Sequence, residues 1–553
     1  MQLNPLHLKV ATLLQGRLFR IPEYQRAYSW GTRQRNDLFE DIKEVARSGR
    51  EHFMATVVAL ARDTRAIGAD EYRTVELVDG QQRITTLIIL LKAIEKSLSI
   101  EDPLQEKVKR ETRELLVKSD EHSLILLQTN HDSSNVFTKY IRTGEIDTQP
   151  AITAADANLV SAARECERFV HNWGNDKPLI ELIATLRNRL SMIYHELANE
   201  ATVYRVFEVL NSRGLDVKWI DKLKSQLMAL IFEHLEGGTR TEAVREMQTA
   251  WQGIYRTLGL RGDLGDEALR FAGTWALKSR PNRIISQEDA ATELTKIAGT
   301  ELRTIAGVGE FLKVVVEAVN ELDGNIRLRA VTRIVHARFV ATAILLRKFD
   351  SETQKKLLGV WERVTFRIFG LGGADARHKV GEYIRLGFEI IKENLPAEKI
   401  AEAIPRLGEG YSISEVLKGD WSDCYNGWSE ELRYLLYRYD EKLSFEAKEK
   451  LNIGQWNKVW ADEPSRSIEH IQPQSSGKRY IHHLGNLTML PPSVNSSLKD
   501  KGPTDKATTY KECGLKATIA VGRTITNGQA WTEAAVKART AEIIAFIRKE
   551  WSD

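Results

Sequence analysis

The sequence predicts an α+β fold that is predominantly helical, and three features carry that prediction. Short β-branched runs interleave with helical pattern in the first quarter, and amphipathic helical periodicity then dominates to about residue 440. After that a stretch crowded with Pro, Ser, Asn, His and Gly precedes one closing helix. The length of 553 residues exceeds what one hydrophobic core organises, so about two to four domains follow. We expect them at 1–230, 231–430 and 431–553.

Taken in order, Phe53 to Ala61 (FMATVVALA) and Thr74 to Val78 (TVELV) read as buried strands. Asp79-Gly80 turns the chain, and Ile84 to Leu98 follows as an apolar helix whose Lys92, Glu95 and Lys96 are spaced to share one side. Gly144 to Ala157 reads as a loop that ends in a helix start. Ala330 to Arg347 and Val380 to Asn394 are amphipathic helices, with a break at Gly370, Gly372 and Gly373, and no fixed repeat period appears. The texture changes at Glu463 to Ser497, and a helix over Thr532 to Trp551 ends the pattern.

Composition narrows the function classes. Hydrophobic content of 42% and charged content of 28% fit a globular protein and exclude extensive disorder. The net charge of +3, from 79 basic and 76 acidic residues, leaves nucleic-acid binding to a local basic strip. Cys166, Cys424 and Cys513 are too scattered for a disulfide framework or a thiolate zinc site, which fits a reducing cytoplasm. The first residues lack the apolar core of a signal peptide, and the longest apolar run, Leu227 to Phe232, is far short of the roughly 20 residues that span a bilayer. The expectation is a cytoplasmic protein with no membrane partner.

The C-terminal segment SIEHIQPQSSGKRYIHHLGNLTMLPPSVNSSLKDK carries the clearest chemistry. Phosphodiester hydrolysis needs a base for water and a cation for the charge that develops on phosphate. A neutral histidine serves as that base near pH 7. Oxygen ligands select magnesium or manganese. Glu469, His470 and Asn495 supply that set, while His482 and His483 suit either a phosphate or a backbone carbonyl. No cysteine lies in the window to build a zinc site. Lys478, Arg479, Lys499, Lys501 and Lys506 surround the cluster and would meet DNA backbone phosphates, or else form a solvated face.

The segment resembles the His-Me finger (HNH-type) nucleases, in which a β-hairpin and a helix (the ββα-metal arrangement) hold one metal ion. The resemblance implies that His470 is the base and Glu469 a metal ligand. It also implies that Asn486, with His483, supports the nuclease loop, and that Asn495, nine residues on, completes the metal site.

Two N-terminal segments stand out, IPEYQRAYSW (Ile21 to Trp30) and LVDGQQRITTL (Leu77 to Leu87). In the second a strand gives way to a helix near Arg83, where free backbone N–H groups favour an anion. Gly80 lets the backbone approach a phosphate, and Gln81, Gln82 and Arg83 add donors. Asp79 would orient a sugar hydroxyl or a metal-bound water or, on spacing alone the better account, cap the helix. Tyr24, Gln25, Arg26, Tyr28 and Trp30 would contact nucleotide or DNA by stacking and charge, although Tyr28 and Trp30 serve equally well as core anchors. A third segment presents Arg213 at the turn Asn211-Ser212-Arg213-Gly214.

Together these segments resemble the GmrSD-type modification-dependent (type IV) restriction proteins, whose N-terminal domain has a ParB/sulfiredoxin-like core. The DGQQR segment is highly specific to them. Family members often have a glycine after the strand-entry Phe-Leu pair, where this chain has Phe53-Met54-Ala55. The resemblance implies binding and hydrolysis of GTP or ATP at Asp79, Gln81, Gln82 and Arg83. It also implies nucleotide-gated cleavage of foreign, modified phage DNA, with a homo-oligomer compatible. No Walker A sequence is present. An RNA-cutting toxin and a nucleotide-gated DNA-binding regulator without cleavage are the alternatives.

Overall fold

The computed structural model describes residues 6–22, 25, 27–118, 125–129, 134–146, 151, 153–197, 218–259, 261–331 and 334–553. It divides into two compact units, Met1–Ala276 with Ile285–Asn320, and Leu277–Ile284 with Glu321–Asp553. Helices predominate around a mixed sheet. Among the described residues no helix is long and apolar enough to cross a membrane.

The first unit opens with β1 (Leu6–Lys9), α1 (Val10–Leu14), β2 (Arg17–Arg20), α2 (Thr32–Ser48), β3 (His52–Ile67) and β4 (Asp70–Asp79). Then come α3 (Gln81–Ser97), α4 (Pro103–Leu116), β5 (Leu127–Gln128), α5 (Ser134–Thr143), α6 (Ala154–Asp176), α7 (Leu179–Asn188) and β6 (Leu190–Leu197). The strands form one six-stranded sheet in the order β1-β6-β3-β4-β2-β5. The β3–β4 and β1–β6 pairs are antiparallel, while β3–β6, β2–β4 and β2–β5 are parallel. Helices α8 (Trp219–His234), α9 (Gly237–Leu258), α10 (Asp263–Ala276), α11 (Gln287–Ala298) and α12 (Leu302–Gly324) follow.

The strands run longer than the hydrophobic pattern indicates. Only Val57 to Leu60 and Val75 to Val78 are uniformly buried, and the polar remainder of each strand continues as an exposed hairpin turned by Gly68 at φ +62°. Periodicity marks burial, so a solvent-facing ribbon escapes it. Helix α3 begins at Gln81, two residues before Arg83, and is buried along nearly its whole length. Lys92 and Glu95 therefore do not form a solvated side. Both are buried and pair with each other at 2.6 Å, because an unpaired charge there would cost several kcal/mol. Helix α6 starts where the loop was expected to end, with Thr153 and Asp156 in a reciprocal capping box.

The second unit contains α13 (Val335–Leu346), α14 (Ser351–Thr365), α15 (Val380–Lys392), α16 (Ala397–Leu407), α17 (Ile413–Val416), α18 (Ser429–Glu446), α19 (Ile453–Trp460) and α20 (Pro464–Ser467). A two-stranded sheet of β7 (Ile468–His470) and β8 (Leu487–Met489) follows, and then α21 (Pro492–Leu498), α22 (Pro503–Glu512), α23 (Lys516–Thr526) and α24 (Glu533–Glu550). The expected glycine break is a π-helical turn, Phe366–Leu371, that ends at Gly372 and is followed by Gly373 at φ +60°. A three-residue ladder is marginal alone. The β7–β8 hairpin is held instead by burial of Ile468, Leu487 and Met489 in one core with Leu435, Trp456, Val536, Ile543 and Ile547. Each such side chain contributes about 1.5–3 kcal/mol.

Candidate active site

The hairpin fixes the site by register. Strand β7 runs antiparallel to β8 with Glu469 opposite Thr488 and His470 opposite Leu487. The loop between the strands, 471–486, folds back over His470. Asn486 organises it from a fully buried position. Its Nδ2 donates to the carbonyls of Gln472 (3.0 Å) and Ile481 (2.8 Å), and its Oδ1 accepts from Gln472 N (2.9 Å) and Trp531 Nε1 (3.1 Å). Every valence of the carboxamide is thus used within the loop and its support. The neighbouring Gly485 has to be glycine, since a Cβ there would lie 2.0 Å from the Val536 carbonyl oxygen on α24. Arg539, also on α24, donates to the carbonyls of Gly485 and Leu487 at 2.9 and 2.7 Å.

His470 is buried, and its two ring nitrogens differ in use. Nε2 lies 3.1 Å from Nδ1 of His482, and Nδ1 lies 3.2 Å from the side-chain amide nitrogen of Gln474. An amide nitrogen only donates. His470 Nδ1 is therefore the acceptor, and the proton sits on Nε2, which donates to His482. Tyr425 packs the pair, edge-on to His470 at 4.6 Å and stacked on His482 at 5.3 Å. Burial, then the neighbouring His482 and the Lys506 charge, bring the His470 pKa down to about 4. The imidazole is neutral at pH 7, and Gln474, the group covering Nδ1, is exposed. His482 was legible only as one of two adjacent histidines. It is this ring, rather than that of His483, that contacts His470.

Glu469 points the other way along β7 into the protein. Its Oε1 accepts from the Tyr510 hydroxyl at 2.6 Å and pairs with Lys506 Nζ at 2.7 Å. The same Nζ donates to the His470 carbonyl at 2.8 Å. Burial pushes the Glu469 carboxyl upward, opposed by Lys506 and Tyr510, and pushes the Tyr510 hydroxyl upward as well. Lys506, expected among the cations facing DNA, is therefore corrected. It is 1% exposed and belongs to the interior of the site, because the buried carboxylate requires a partner. Tyr510 was missed altogether, and its only sequence signal was the spacing of four residues from Lys506 on one helix face. Lys478, Arg479, Lys499 and Lys501 are all exposed.

Asn495, on α21, anchors its amide to α20 and the start of β7. Nδ2 donates to the carbonyls of Arg466 and Ile468 at 2.9 and 3.1 Å. Its Oδ1, and Oε2 of Glu469, receive no hydrogen bond among the described residues. These two free oxygens are hard donors of the kind magnesium or manganese accepts. Among the described residues no group of three or more His, Cys, Asp or Glu side chains is arranged to hold a metal. The oxygen chemistry of these two side chains suits such an ion, whose remaining positions would fall to water and phosphate.

The N-terminal segment uses its residues differently. Gly80, at φ +89°, is the N-cap of α3, and a Cβ on it would meet Val57 Cγ2 at 2.9 Å. The N-cap position of α3 is taken by Gly80 itself, and Asp79 precedes it as the last residue of β4, opposite Val58. Gln82 fastens the preceding loop: its Oε1 accepts from Ser29 N at 2.8 Å and its Nε2 donates to the Ala27 carbonyl at 3.2 Å. Gln25 Nε2 donates to the Val78 carbonyl at 2.7 Å, and the Tyr28 hydroxyl meets Thr86 Oγ1 at 2.8 Å. Gln81 is buried in the first turn of α3. Tyr28 and Trp30 are buried core residues, and Arg83 lies over the Trp30 ring at 5.7 Å. Among the described residues Arg83 makes no hydrogen bond or ion pair. Tyr24, Arg26 and Arg213 lie outside the described residues.

Two family models match the chain. The GmrSD restriction endonuclease N-terminal domain covers residues 10–228, and the GmrSD restriction endonuclease C-terminal domain covers 417–546. No curated protein matches it. The two matches fall in that order over the DGQQR segment and the β7–β8 hairpin, and the chain belongs to the GmrSD restriction endonucleases.

Proposed function

We propose that this restriction endonuclease hydrolyses phosphodiester bonds of foreign, modified DNA with His470 as the general base, at a ββα-metal (His-Me finger) site. The observation that carries this reading is the split use of the imidazole. Nε2–H is held by His482, while Nδ1 carries a lone pair covered only by the exposed Gln474 side chain. Displacing Gln474 frees Nδ1 to take a proton from water as the water oxygen attacks phosphorus and the P–O bond to the leaving oxygen breaks. His482 holds the ring plane and stabilises the imidazolium that forms. Glu469 Oε2 and Asn495 Oδ1 would hold a magnesium or manganese ion, which supplies charge stabilisation at phosphate when bound. Exposed Lys478, Arg479, Lys499 and Lys501 bind backbone phosphates.

In the same reading the N-terminal unit has a ParB/sulfiredoxin-like core that binds GTP or ATP at Asp79, Gly80, Gln81, Gln82 and Arg83 and gates the nuclease. The N-terminus of α3, whose first backbone N–H groups favour an anion, and Arg83, which meets only the Trp30 ring among the described residues, support an anion there.

Nicking of supercoiled plasmid in magnesium tests the nuclease assignment. His470→Ala should lower cleavage about 10²- to 10⁴-fold with DNA binding retained. Clean His470→Ala protein that cuts at the wild-type rate would sink it. Modified DNA, unmodified DNA and RNA, each with and without GTP or ATP, define the substrate.

A further inference from the structure

Lys506 and Tyr510 sit one turn apart on α22, and both aim at the same carboxylate oxygen of Glu469. Both are buried, Lys506 at 1% and Tyr510 at 0% exposure. Two donors on Oε1 hold the carboxylate rotamer, and Oε2 is left without a hydrogen bond among the described residues. The lysine also donates to the His470 carbonyl, so one ammonium ties the carboxylate to the backbone of the base. We propose that Lys506 and Tyr510 are positioning residues that commit Oε1 to the protein interior and present Oε2 alone, so that Glu469 binds a divalent cation through one oxygen.

The physical basis is the geometry of carboxylates. An unrestrained carboxylate alternates between one-oxygen and two-oxygen ligation, whereas pinning one oxygen fixes both the mode and the direction of the other. Outer contacts of this kind typically alter metal affinity 10- to 100-fold. The role differs from that of a surface cation, because Lys506 touches neither solvent nor any exposed face. The proposal rests on the reading of Glu469 as a ligand, and the test separates the two.

Manganese binding to the full-length protein without DNA, followed by the electron-spin resonance signal of free Mn²⁺, is the direct measurement. Wild type should bind the ion, and Glu469→Gln should abolish binding. Tyr510→Phe, which keeps the ring in its pocket, should weaken binding about 10-fold, and Lys506→Met should weaken it by at least as much. Circular dichroism and thermal melts show that each variant is folded. If Lys506→Met fails to fold, Tyr510→Phe decides alone. Glu469→Gln that abolishes binding, beside folded Tyr510→Phe and Lys506→Met within twofold of wild type, would overturn the positioning role. Binding unchanged in Glu469→Gln would overturn the ligand assignment itself, and this proposal with it.

Discussion

The hairpin around His470 and the turn at Gly80 carry equally specific sequence patterns, yet they use their polar groups in opposite ways. At the hairpin, one residue of the pattern, Asn486, spends all its hydrogen bonds inside the protein, while Glu469 and Asn495 each leave one oxygen without a hydrogen bond among the described residues and His470 Nδ1 is met only by the exposed Gln474 side chain. At the Gly80 turn, Gln82 and Gln25 bond backbone groups, Tyr28 and Trp30 fill the core, and Arg83 retains a free donor set. A motif is therefore partly chemistry and partly scaffold. The hydrogen-bond inventory of each side chain separates the two.

That separation makes quantitative predictions. Asn486→Ala should have the largest effect on stability, because it removes a fully buried brace and leaves several backbone groups unpaired. We expect about 3–5 kcal/mol in denaturant unfolding of the C-terminal unit, with cleavage lost. A loss under about 1 kcal/mol would mean the loop is held by something else. Gln82→Ala strips the bonds to Ser29 and Ala27 and should cost about 1–3 kcal/mol. That loss would be unfolding of scaffold, visible with no nucleotide present.

The pH dependence of stability sharpens the comparison from the other side. The folded His470 pKa is about 4, below the ordinary 6.5. The unfolded chain therefore binds the proton first, and stability is lost as pH falls from about 6.5 towards 4, by up to about 3 kcal/mol. Buried His336, also held at about 4 by desolvation, contributes in the same direction. His470→Ala should flatten the acid slope measured by urea unfolding at pH 7 and pH 5, and an unchanged slope would show that His470 is not held neutral. The smallest stability effect belongs to Arg83→Ala. It removes one cation–π contact worth about 0.5–1 kcal/mol, yet it should weaken GTP or ATP binding in calorimetry. A large drop in melting temperature with intact nucleotide affinity would place Arg83 with the scaffold.

Much of this was legible in the sequence because burial leaves a periodic trace. The apolar runs at Phe53 to Ala61 and Thr74 to Val78 marked the buried centre of β3–β4, and the closing helix at Thr532 to Trp551 matches α24, Glu533–Glu550. The exposed hairpin ends left no such trace. Pairing within the core was equally hidden, since nothing in the spacing of Lys92 and Glu95, or of Glu469 and Lys506, says that opposite charges meet away from water. Lys506 looked like its exposed neighbours because composition cannot distinguish a cation facing DNA from one facing a buried carboxylate. Asp79 looked like a cap because aspartate is a favoured capping residue just before a helix, whereas Gly80 takes the N-cap position itself.

The proposed base chemistry turns on which nitrogen of His470 carries the proton. Nitrogen-15 NMR of histidine-labelled protein, with the His470 signals assigned by their disappearance in His470→Ala, reads this directly. At pH 7 the expected result is a neutral ring with the proton on Nε2 and an unprotonated Nδ1. A doubly protonated ring, or a neutral ring protonated on Nδ1, would contradict it.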